Sequence, residues 1–229
     1  MQLTINTIGV IESPYQQKFG IARQPGLVNA AKVWLVLNPE FTEESVRGLA
    51  GFDYVWVHFV FHEAIKEGWS PLVRPPRLGG KQKMGVFATR SPHRPNHLGL
   101  SLLKLDAVET QKGVRLLLSG ADLLDGTPVV DIKPYIPFVE AKPDAQSGFV
   151  MGTPPLLTVV WSDEALTQLG DEGLSMAFKD LVSQSVAQDP RPAYQDDGER
   201  VYGMLLSNIN VSFQIQEDVA TIVGLSRPR

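Results

Sequence analysis

Residues 90–97 combine side chains that can bind an anion with prolines that hold them in place. The segment contains two arginines, two histidines and two prolines, and it separates an apolar run ending at Ala88 from one beginning near Leu98. Proline fixes its own φ and lacks a backbone N–H, so Pro92 and Pro95 exclude a regular helix here. A stiff cationic loop between two strands favours binding of an anion, a carboxylate or a nucleotide. A surface hairpin with solvated arginines is the alternative interpretation.

The four histidines form two pairs, each with the four-residue spacing that can supply metal ligands. His58 and His62 are separated by three apolar residues, which favours a strand, and His93 and His97 are separated by a segment containing a proline. No third ligand is evident near either pair, so the sequence predicts no metal site. We interpret His58 as a core histidine. His62, at a strand end beside Glu63, is the better candidate for a functional site.

Two other polar segments contain side chains suited to a ligand. Residues 23–26 read Arg-Gln-Pro-Gly and supply a guanidinium group together with an amide that both donates and accepts hydrogen bonds. Residues 122–131 contain three carboxylates around Asp125-Gly126, where Asp125 could hold an ammonium group or a ribose hydroxyl. Both segments also match ordinary turns. No glycine-rich dinucleotide or P-loop motif occurs, so a nucleoside cofactor would need another binding site.

Composition narrows the class of protein. The chain has 229 residues, 43% of them hydrophobic, with a net charge of −4 and no cysteine. Disulfides, thiolate nucleophiles and cysteine-bound metals are therefore excluded, which fits a cytoplasmic protein. The N-terminus does not resemble a signal peptide, and no apolar run is long enough to span a bilayer. The negative net charge argues against indiscriminate coating of nucleic acid.

The charges are unevenly distributed along the chain. Residues 66–94 contain seven basic residues and one acidic residue, whereas residues 160–200 contain nine acidic and three basic residues. A basic patch on an acidic body favours engagement of a polyanion at one place. The alternative is that these charges lie on separate solvated faces.

The pattern of short apolar segments predicts a mainly β, α+β protein whose N-terminal part, residues 1–138, is barrel-like. Many short strands with few helices favour a closed or partly closed barrel. The predicted strands are Leu3–Ile11, Ala31–Leu37, Tyr54–Phe61, Met84–Ala88, Leu100–Val108, Val114–Leu118 and Val129–Ile132. A helix is predicted over Thr42–Leu49, with Thr42 as a possible N-cap.

Residues 139–155 are rich in proline and glycine and are predicted to be a linker. The remaining residues, 156–229, are predicted to form a smaller α+β domain. Its strands are Leu156–Trp161, Val201–Leu206, Asn210–Gln216 and Val219–Val223, and its helices are Asp163–Leu169, capped by Ser162, and Leu174–Ala187.

Several of these segments occur together, and in the same order, in a known family. Residues 8–15, 23–26, 85–101 and 122–137 resemble segments of the TsaA/YaeB-like family, as do residues 74–80 and 187–194, so that the resemblance spans essentially the whole chain. It implies a β-barrel enzyme that depends on S-adenosylmethionine and lies outside the Rossmann class of methyltransferases. The implied substrate is tRNA carrying threonylcarbamoyl on the adenosine 3′ of the anticodon, chiefly threonine tRNA. Homodimers with the cofactor site close to the subunit junction are also implied.

The resemblance further implies which residues bind the cofactor, and from the chemistry of the side chains we hypothesise which residues contact the RNA. Cofactor contacts are expected from Arg23, Gln24, Pro25, His62, Glu63, Arg90, Leu100, Asp125, Gly126, Thr127 and Pro128. Arg90 is expected to pair with the methionine carboxylate, and His62, with Glu63 behind it, is the candidate base. Contacts to the anticodon loop or to the threonine carboxylate are expected from Arg74, Arg77, Lys81, Lys83 and Arg94.

The chain departs from the family at one position in the cationic loop. Many relatives have Asn-Pro-Ile-Gly where this chain has Asn96-His97-Leu98-Gly99. We expect the loss of this proline to loosen the loop slightly. Two other functions remain open at this point: a non-catalytic module that binds S-adenosylmethionine or RNA and regulates a partner, and a metal-dependent hydrolase.

Overall fold

Twelve strands and three α-helices make up the regular structure of the described residues. The computed structural model describes residues 2–150, 152–191 and 198–228, and of Arg77 it describes the backbone only. The strands are β1 (Gly9–Glu12), β2 (Lys32–Leu37), β3 (Tyr54–Val60), β4 (Leu72–Val73), β5 (Met84–Gly85), β6 (Leu98–Glu109), β7 (Arg115–Ser119), β8 (Pro128–Pro134), β9 (Thr158–Trp161), β10 (Val201–Leu206), β11 (Ile209–Gln216) and β12 (Val219–Ser226). The helices are α1 (Pro137–Glu140), α2 (Asp163–Asp171) and α3 (Met176–Ala187).

Six antiparallel strands close into a barrel in the order β1-β2-β7-β6-β3-β8. Successive side chains of a strand point to opposite faces, and β3 follows this rule: Val55, Val57 and Phe59 are buried inside the barrel. Trp56 and His58 therefore lie on its outer face. The barrel confirms the predicted mainly β architecture of the N-terminal part.

The C-terminal part is a four-stranded sheet, β10-β11-β12-β9, with α2 and α3 packed against it. Within this sheet β9 runs parallel to its neighbour β12, because α2 and α3 connect it to the rest of the sheet. The Ser162 hydroxyl accepts a hydrogen bond from the Ala165 amide at 3.1 Å, so the predicted cap of α2 is confirmed.

Three predicted elements differ in the structure. β1 begins at Gly9, because Leu3 and Ile5 are exposed and no described strand pairs with that segment. The predicted strand Met84–Ala88 shortens to the two residues of β5, whose partner β4 is equally short, and then becomes a 3-10 turn. The prediction of a helix over Thr42–Leu49 is wrong: two 3-10 turns, Glu43–Val46 and Leu49–Gly51, take its place, separated by Gly48 at φ 86°.

The long connection between β1 and β2, residues 13–31, packs against the C-terminal sheet as well as against the barrel. Tyr15, Ala22 and Val28 belong to the same buried cluster as residues of α3 and of β10 to β12. The amide of Ala30 donates to the side-chain oxygen of Gln184 on α3 at 3.0 Å. The predicted domain division at residues 139–155 stays a prediction, but the packing shows that the connection and the C-terminal part share one core.

Candidate cofactor-binding cavity

A cavity of about 1200 Å³ opens beside the barrel, where four separate segments meet. They are residues 18–26 of the β1–β2 connection, β3 with the 3-10 turn that follows it, residues 89–102, and residues 122–127. Of the residues predicted from the sequence, nine line this cavity: Arg23, Gln24, Pro25, His62, Glu63, Arg90, Arg94, Leu100 and Thr127. Segments far apart in the chain therefore come together at one cavity, and binding of the cofactor by these nine residues stays a prediction.

Arg90 joins the cationic loop to the 23–26 segment. Its Nη1 donates to the side-chain oxygen of Gln24, and the Gln24 amide nitrogen donates to the carbonyl of Arg23. A guanidinium group has five N–H donors, so this contact leaves most of them available to a ligand. Arg90 is exposed at the cavity wall.

Arg23 is directed toward the C-terminal part of the chain. Its Nη2 donates to the carbonyls of Asp189 at 3.1 Å and Arg191 at 3.2 Å. These contacts fix the side chain at the cavity edge. Residues 192–194, the end of the family-like segment 187–194, lie outside the described residues.

Arg94 lines the cavity but also holds its own loop together. Nη1 donates to the carbonyls of Val86 at 3.3 Å and Thr89 at 2.7 Å, and the guanidinium lies 5.8 Å from the centre of the Phe87 ring. Contact with RNA at Arg94 stays a prediction, and the structure gives this side chain a role in shaping the loop.

Asp122 is a functional candidate that the sequence motifs do not single out. Its Oδ1 accepts a hydrogen bond from the Ser101 hydroxyl at 2.7 Å, and both residues line the cavity. Burial raises the pKa of Asp122 to about 6, against the lowering effects of the Ser101 hydrogen bond and the Arg90 charge. Ser101 is 1% exposed, so this pair lies at the inner end of the cavity.

Asp125, which the sequence favoured, connects its turn to the start of the β1–β2 connection. Its Oδ1 accepts from the Ser13 amide at 2.8 Å, and Thr127 donates from its hydroxyl to the Leu124 carbonyl at 2.6 Å. Asp125 and Gly126 lie outside the cavity lining, as does Pro128. Their predicted contact with the cofactor stays a prediction.

His62 and Glu63 begin the 3-10 turn His62–Glu67 at the cavity rim. Lys18 lies 3.8 Å from Glu63 and 3.2 Å from Glu67, so the rim carboxylates share a lysine. His58 is half-buried on the outer face of β3 and lines the cavity, which corrects its interpretation as a core histidine. Among the described residues, no group of three or more histidine and carboxylate side chains is placed to hold a metal ion.

Three of the predicted RNA-binding residues, Arg74, Lys81 and Lys83, lie apart from the cavity lining. β4 and β5 pair through Leu72–Gly85 and Val73–Met84 and so close residues 74–83 into a loop. Arg74, Lys81 and Lys83 are exposed on this loop. The backbone of Arg77 lies in its 3-10 turn Pro76–Leu78, and its side chain lies outside what the structure describes.

His97 makes three contacts within and beside the cationic loop, and the expected loosening of the loop stays a prediction. Its Nδ1 lies 3.0 Å from the Pro92 carbonyl, its amide donates to the Arg94 carbonyl, and its own carbonyl accepts from the Phe61 amide. Its φ is 49°, a conformation that proline, fixed near −65°, does not adopt. The histidine therefore supports a local backbone that the proline of the relatives excludes.

Comparison with known proteins assigns the family. Residues 10–141 match the model of the tRNA-methyltransferase O N-terminal domain, and residues 154–228 match that of the TrmO C-terminal domain. The chain belongs to the tRNA-methyltransferase O family. It is 58% identical to a tRNA (adenine(37)-N6)-methyltransferase of Eikenella corrodens over 75% of this chain and 95% of that protein.

Two further relatives cover nearly the full length. A tRNA (adenine(37)-N6)-methyltransferase of Escherichia coli strain K12 is 45% identical over 92% of each chain. The crystal structure of TrmO from Pseudomonas aeruginosa superimposes with a TM-score of 0.83 at 36% identity and covers 99% of each chain. The barrel and the C-terminal sheet thus both belong to the shared fold.

Proposed function

We propose that this protein is an S-adenosylmethionine-dependent tRNA methyltransferase that methylates N6 of threonylcarbamoyladenosine at position 37, chiefly in threonine tRNA. The observation that carries the proposal is the cavity, which joins the cationic loop, the 23–26 segment and a buried carboxylate. Its volume of about 1200 Å³ exceeds that of most small-molecule pockets, which leaves room for a cofactor and a substrate base together. Membership of the methyltransferase family supports the same activity.

The donor set fits S-adenosylmethionine, which would supply an electrophilic methyl group on a cationic sulfur. Arg90 binds the methionine carboxylate through N–H donors that Gln24 leaves free. The apolar side chains of Phe61 and Leu100 line the same cavity, where a bound cofactor would displace water from them. His62, with Glu63 beside it, would accept the proton that leaves N6 as the N–C bond forms and the S–C bond breaks, which leaves a neutral thioether.

The basic loop between β4 and β5 binds the anticodon stem-loop in this proposal. Lys81→Ala combined with Lys83→Ala should weaken tRNA binding and flatten its salt dependence by roughly one in log–log slope for each phosphate that is no longer neutralised. Lys112→Ala is the matched control, since it follows β6 at the end opposite the cavity. An unchanged slope in the double variant would place the phosphates elsewhere.

A second copy of the chain covers the outer face of β3 and β6 in this proposal. Tyr54, Leu98 and Leu100 are exposed on that face and continue into the cavity wall, and Phe138 is 87% exposed on α1. An apolar face of this kind suits a subunit interface that lies beside the cofactor. Sedimentation equilibrium should show a dimer that Phe138→Glu weakens, and a wild-type monomer at micromolar concentration would exclude this arrangement.

The activity separates this proposal from a non-catalytic regulatory module, since both bind the cofactor. The enzyme transfers labelled methyl from S-adenosylmethionine to an anticodon stem-loop that carries threonylcarbamoyladenosine, with unmodified RNA as the control. Nucleoside mass spectrometry then identifies the product, and cofactor binding without transfer would favour the module.

No helix among the described residues is long and apolar enough to cross a membrane. A cytoplasmic location is part of the proposal, because tRNA is modified there.

A further inference from the structure

We propose that Asp122 binds the α-ammonium group of the cofactor's methionyl moiety, opposite Arg90, which binds its carboxylate. The inference rests on the proposed function and deepens it, because it assigns a ligand to a carboxylate that neither the turn motif nor the resemblance selected. Four observations support it: the position of Asp122, the pairing of the other carboxylates, the relation of Asp122 to Arg90, and the chemistry of an amino acid.

Asp122 is built into a rigid part of the cavity wall. It follows the end of β7, and its neighbours Ala121 and Leu123 are at most 1% exposed. The Ser101 hydroxyl, on the barrel-facing side of β6, donates to Oδ1 at 2.7 Å. An ionised carboxylate can accept about four hydrogen bonds. Among the described residues, Ser101 is the only side chain that donates one, so accepting capacity remains for a ligand.

The other carboxylates near the cavity already have partners. Glu63 and Glu67 are more than half exposed and share Lys18 at the rim. Asp125 accepts from the Ser13 amide and lies outside the lining. Among the described carboxylates in this region, Asp122 differs in two ways: it lines the cavity, and it forms no ion pair with a described cationic side chain.

Arg90 and Asp122 face the same space without touching. The Arg90 charge acts on Asp122 in opposition to the effect of burial, yet no ion pair within 4.0 Å joins these two described residues. An α-amino acid is a zwitterion whose carboxylate and ammonium groups are held a fixed short distance apart. Such a group can bind Arg90 through its carboxylate and Asp122 through its ammonium, and charge-assisted hydrogen bonds are the strong ones.

The test compares two ligands that differ in the amino-acid group. S-Adenosylhomocysteine carries the ammonium and carboxylate groups, and 5′-methylthioadenosine shares the adenosine and the thioether but lacks both. Titration calorimetry of Asp122→Asn should show S-adenosylhomocysteine binding about tenfold to a hundredfold more weakly, the range for one hydrogen bond between charged groups. Binding of 5′-methylthioadenosine should change by less than about threefold, within the ordinary scatter for a residue outside its contacts. Asp131→Asn, an exposed aspartate on β8, is the matched control and should bind both ligands as the wild type does.

Several results would overturn the inference. One is that Asp122→Asn binds S-adenosylhomocysteine with the affinity of the wild type. Another is that the variant loses affinity for both ligands equally, because the effect would then not depend on the amino-acid group. Ser101→Ala supplies a second variant if Asp122→Asn does not fold: it should weaken S-adenosylhomocysteine binding severalfold and leave 5′-methylthioadenosine unaffected. A wild-type protein that binds neither ligand would contradict the proposed function itself, whereas failure of the inference alone leaves wild-type binding intact.

A pH series provides an independent readout. In the wild type, S-adenosylhomocysteine affinity should fall as pH drops below about 6, because protonation removes the charge of Asp122 while the ligand stays an ammonium ion. Arg90 and the Tyr15 hydroxyl also act on Asp122, and His58, His62 and His93 share the cavity. Comparison with Asp122→Asn isolates the carboxylate, since the variant keeps those groups. An identical pH dependence in both proteins would contradict the assignment.

Discussion

Replacing Asp122 by asparagine should stabilise the ligand-free protein near neutral pH, even though it removes a hydrogen-bonding carboxylate. The carboxylate is charged at neutral pH but lies in a site where burial raises its pKa to about 6. Asparagine has nearly the same shape, and its side-chain oxygen can still accept from the Ser101 hydroxyl. The substitution therefore removes the free-energy cost of a desolvated charge while the packing of the site is kept.

The size of this effect and its sign follow from the pKa in the folded and unfolded chain. The difference between 3.8 in the unfolded chain and about 6 in the folded protein corresponds to at most about 3 kcal/mol in favour of the variant near neutral pH. As pH falls from about 7.5 to about 5, the native wild type takes up a proton at Asp122 and the unfolded chain does not. Its stability consequently rises relative to that of the variant, by about 1.4 kcal/mol over this interval.

Urea denaturation at the two pH values measures this difference, with the free energy of unfolding extrapolated to zero denaturant. Other carboxylates also titrate, but their effects cancel in the comparison between wild type and Asp122→Asn. Asp131→Asn controls for the loss of one formal negative charge at an exposed position. Equal changes in the wild type and Asp122→Asn would show that Asp122 is not desolvated, and its proposed role in binding would lose its electrostatic basis.

Three further predictions test the packing and the site. Gly99→Ala should lower the free energy of unfolding by about 1–3 kcal/mol in urea denaturation, because an added methyl group would overlap the buried Phe59 ring; Phe59→Leu in the same chain should recover part of the loss. Tyr15→Phe should lower the free energy of unfolding by about 1–2 kcal/mol, since it removes a buried hydrogen bond to α3. Tyr202→Phe should leave the free energy of unfolding unchanged, because the buried Tyr202 hydroxyl has no partner among the described residues. Arg90→Ala should abolish cofactor binding measured by calorimetry. A variant with near-normal affinity would show that Arg90 does not bind the cofactor.

The strands of the barrel could be predicted because each is a short run rich in β-branched or aromatic residues between turn formers. The residues of β3 are nearly all apolar or aromatic, and it is the structure that shows Val55, Val57 and Phe59 directed inward. The same pattern does not reveal what covers the outer face. It therefore could not show that His58 lines a cavity and is not a core residue. The prediction of a strand over Met84–Ala88 was wrong beyond Gly85 for a related reason. A strand needs a partner of equal length, and β4 offers only two residues for pairing.

Those site residues could be predicted that belong to short motifs of neighbouring residues in the sequence. The Asp-Gly turn and the threonine after it directed attention to Asp125. The structure shows that this carboxylate binds the Ser13 amide and that the Thr127 hydroxyl makes the hydrogen bond within the turn. Asp122 has no local signature, because its importance depends on Ser101 and Arg90, which lie far away in the sequence. His97 shows the same limit, since neither its positive φ nor its contact with Pro92 follows from the residue type.

The described residues of the C-terminal part contribute to the site without lining the cavity. Residues 23–26 belong to the β1–β2 connection, and that connection is held by the C-terminal part at several points. The Tyr15 hydroxyl contacts Ser185 at 3.1 Å, Gln188 donates to the Leu27 carbonyl at 3.1 Å, and Arg23 donates to two carbonyls that follow α3. A long loop carries a large entropy cost when it is ordered, and contacts made before the ligand arrives lower that cost at binding. Through these contacts the α3 region holds the connection that carries the 23–26 segment, and Gln24 of that segment is the residue that contacts Arg90.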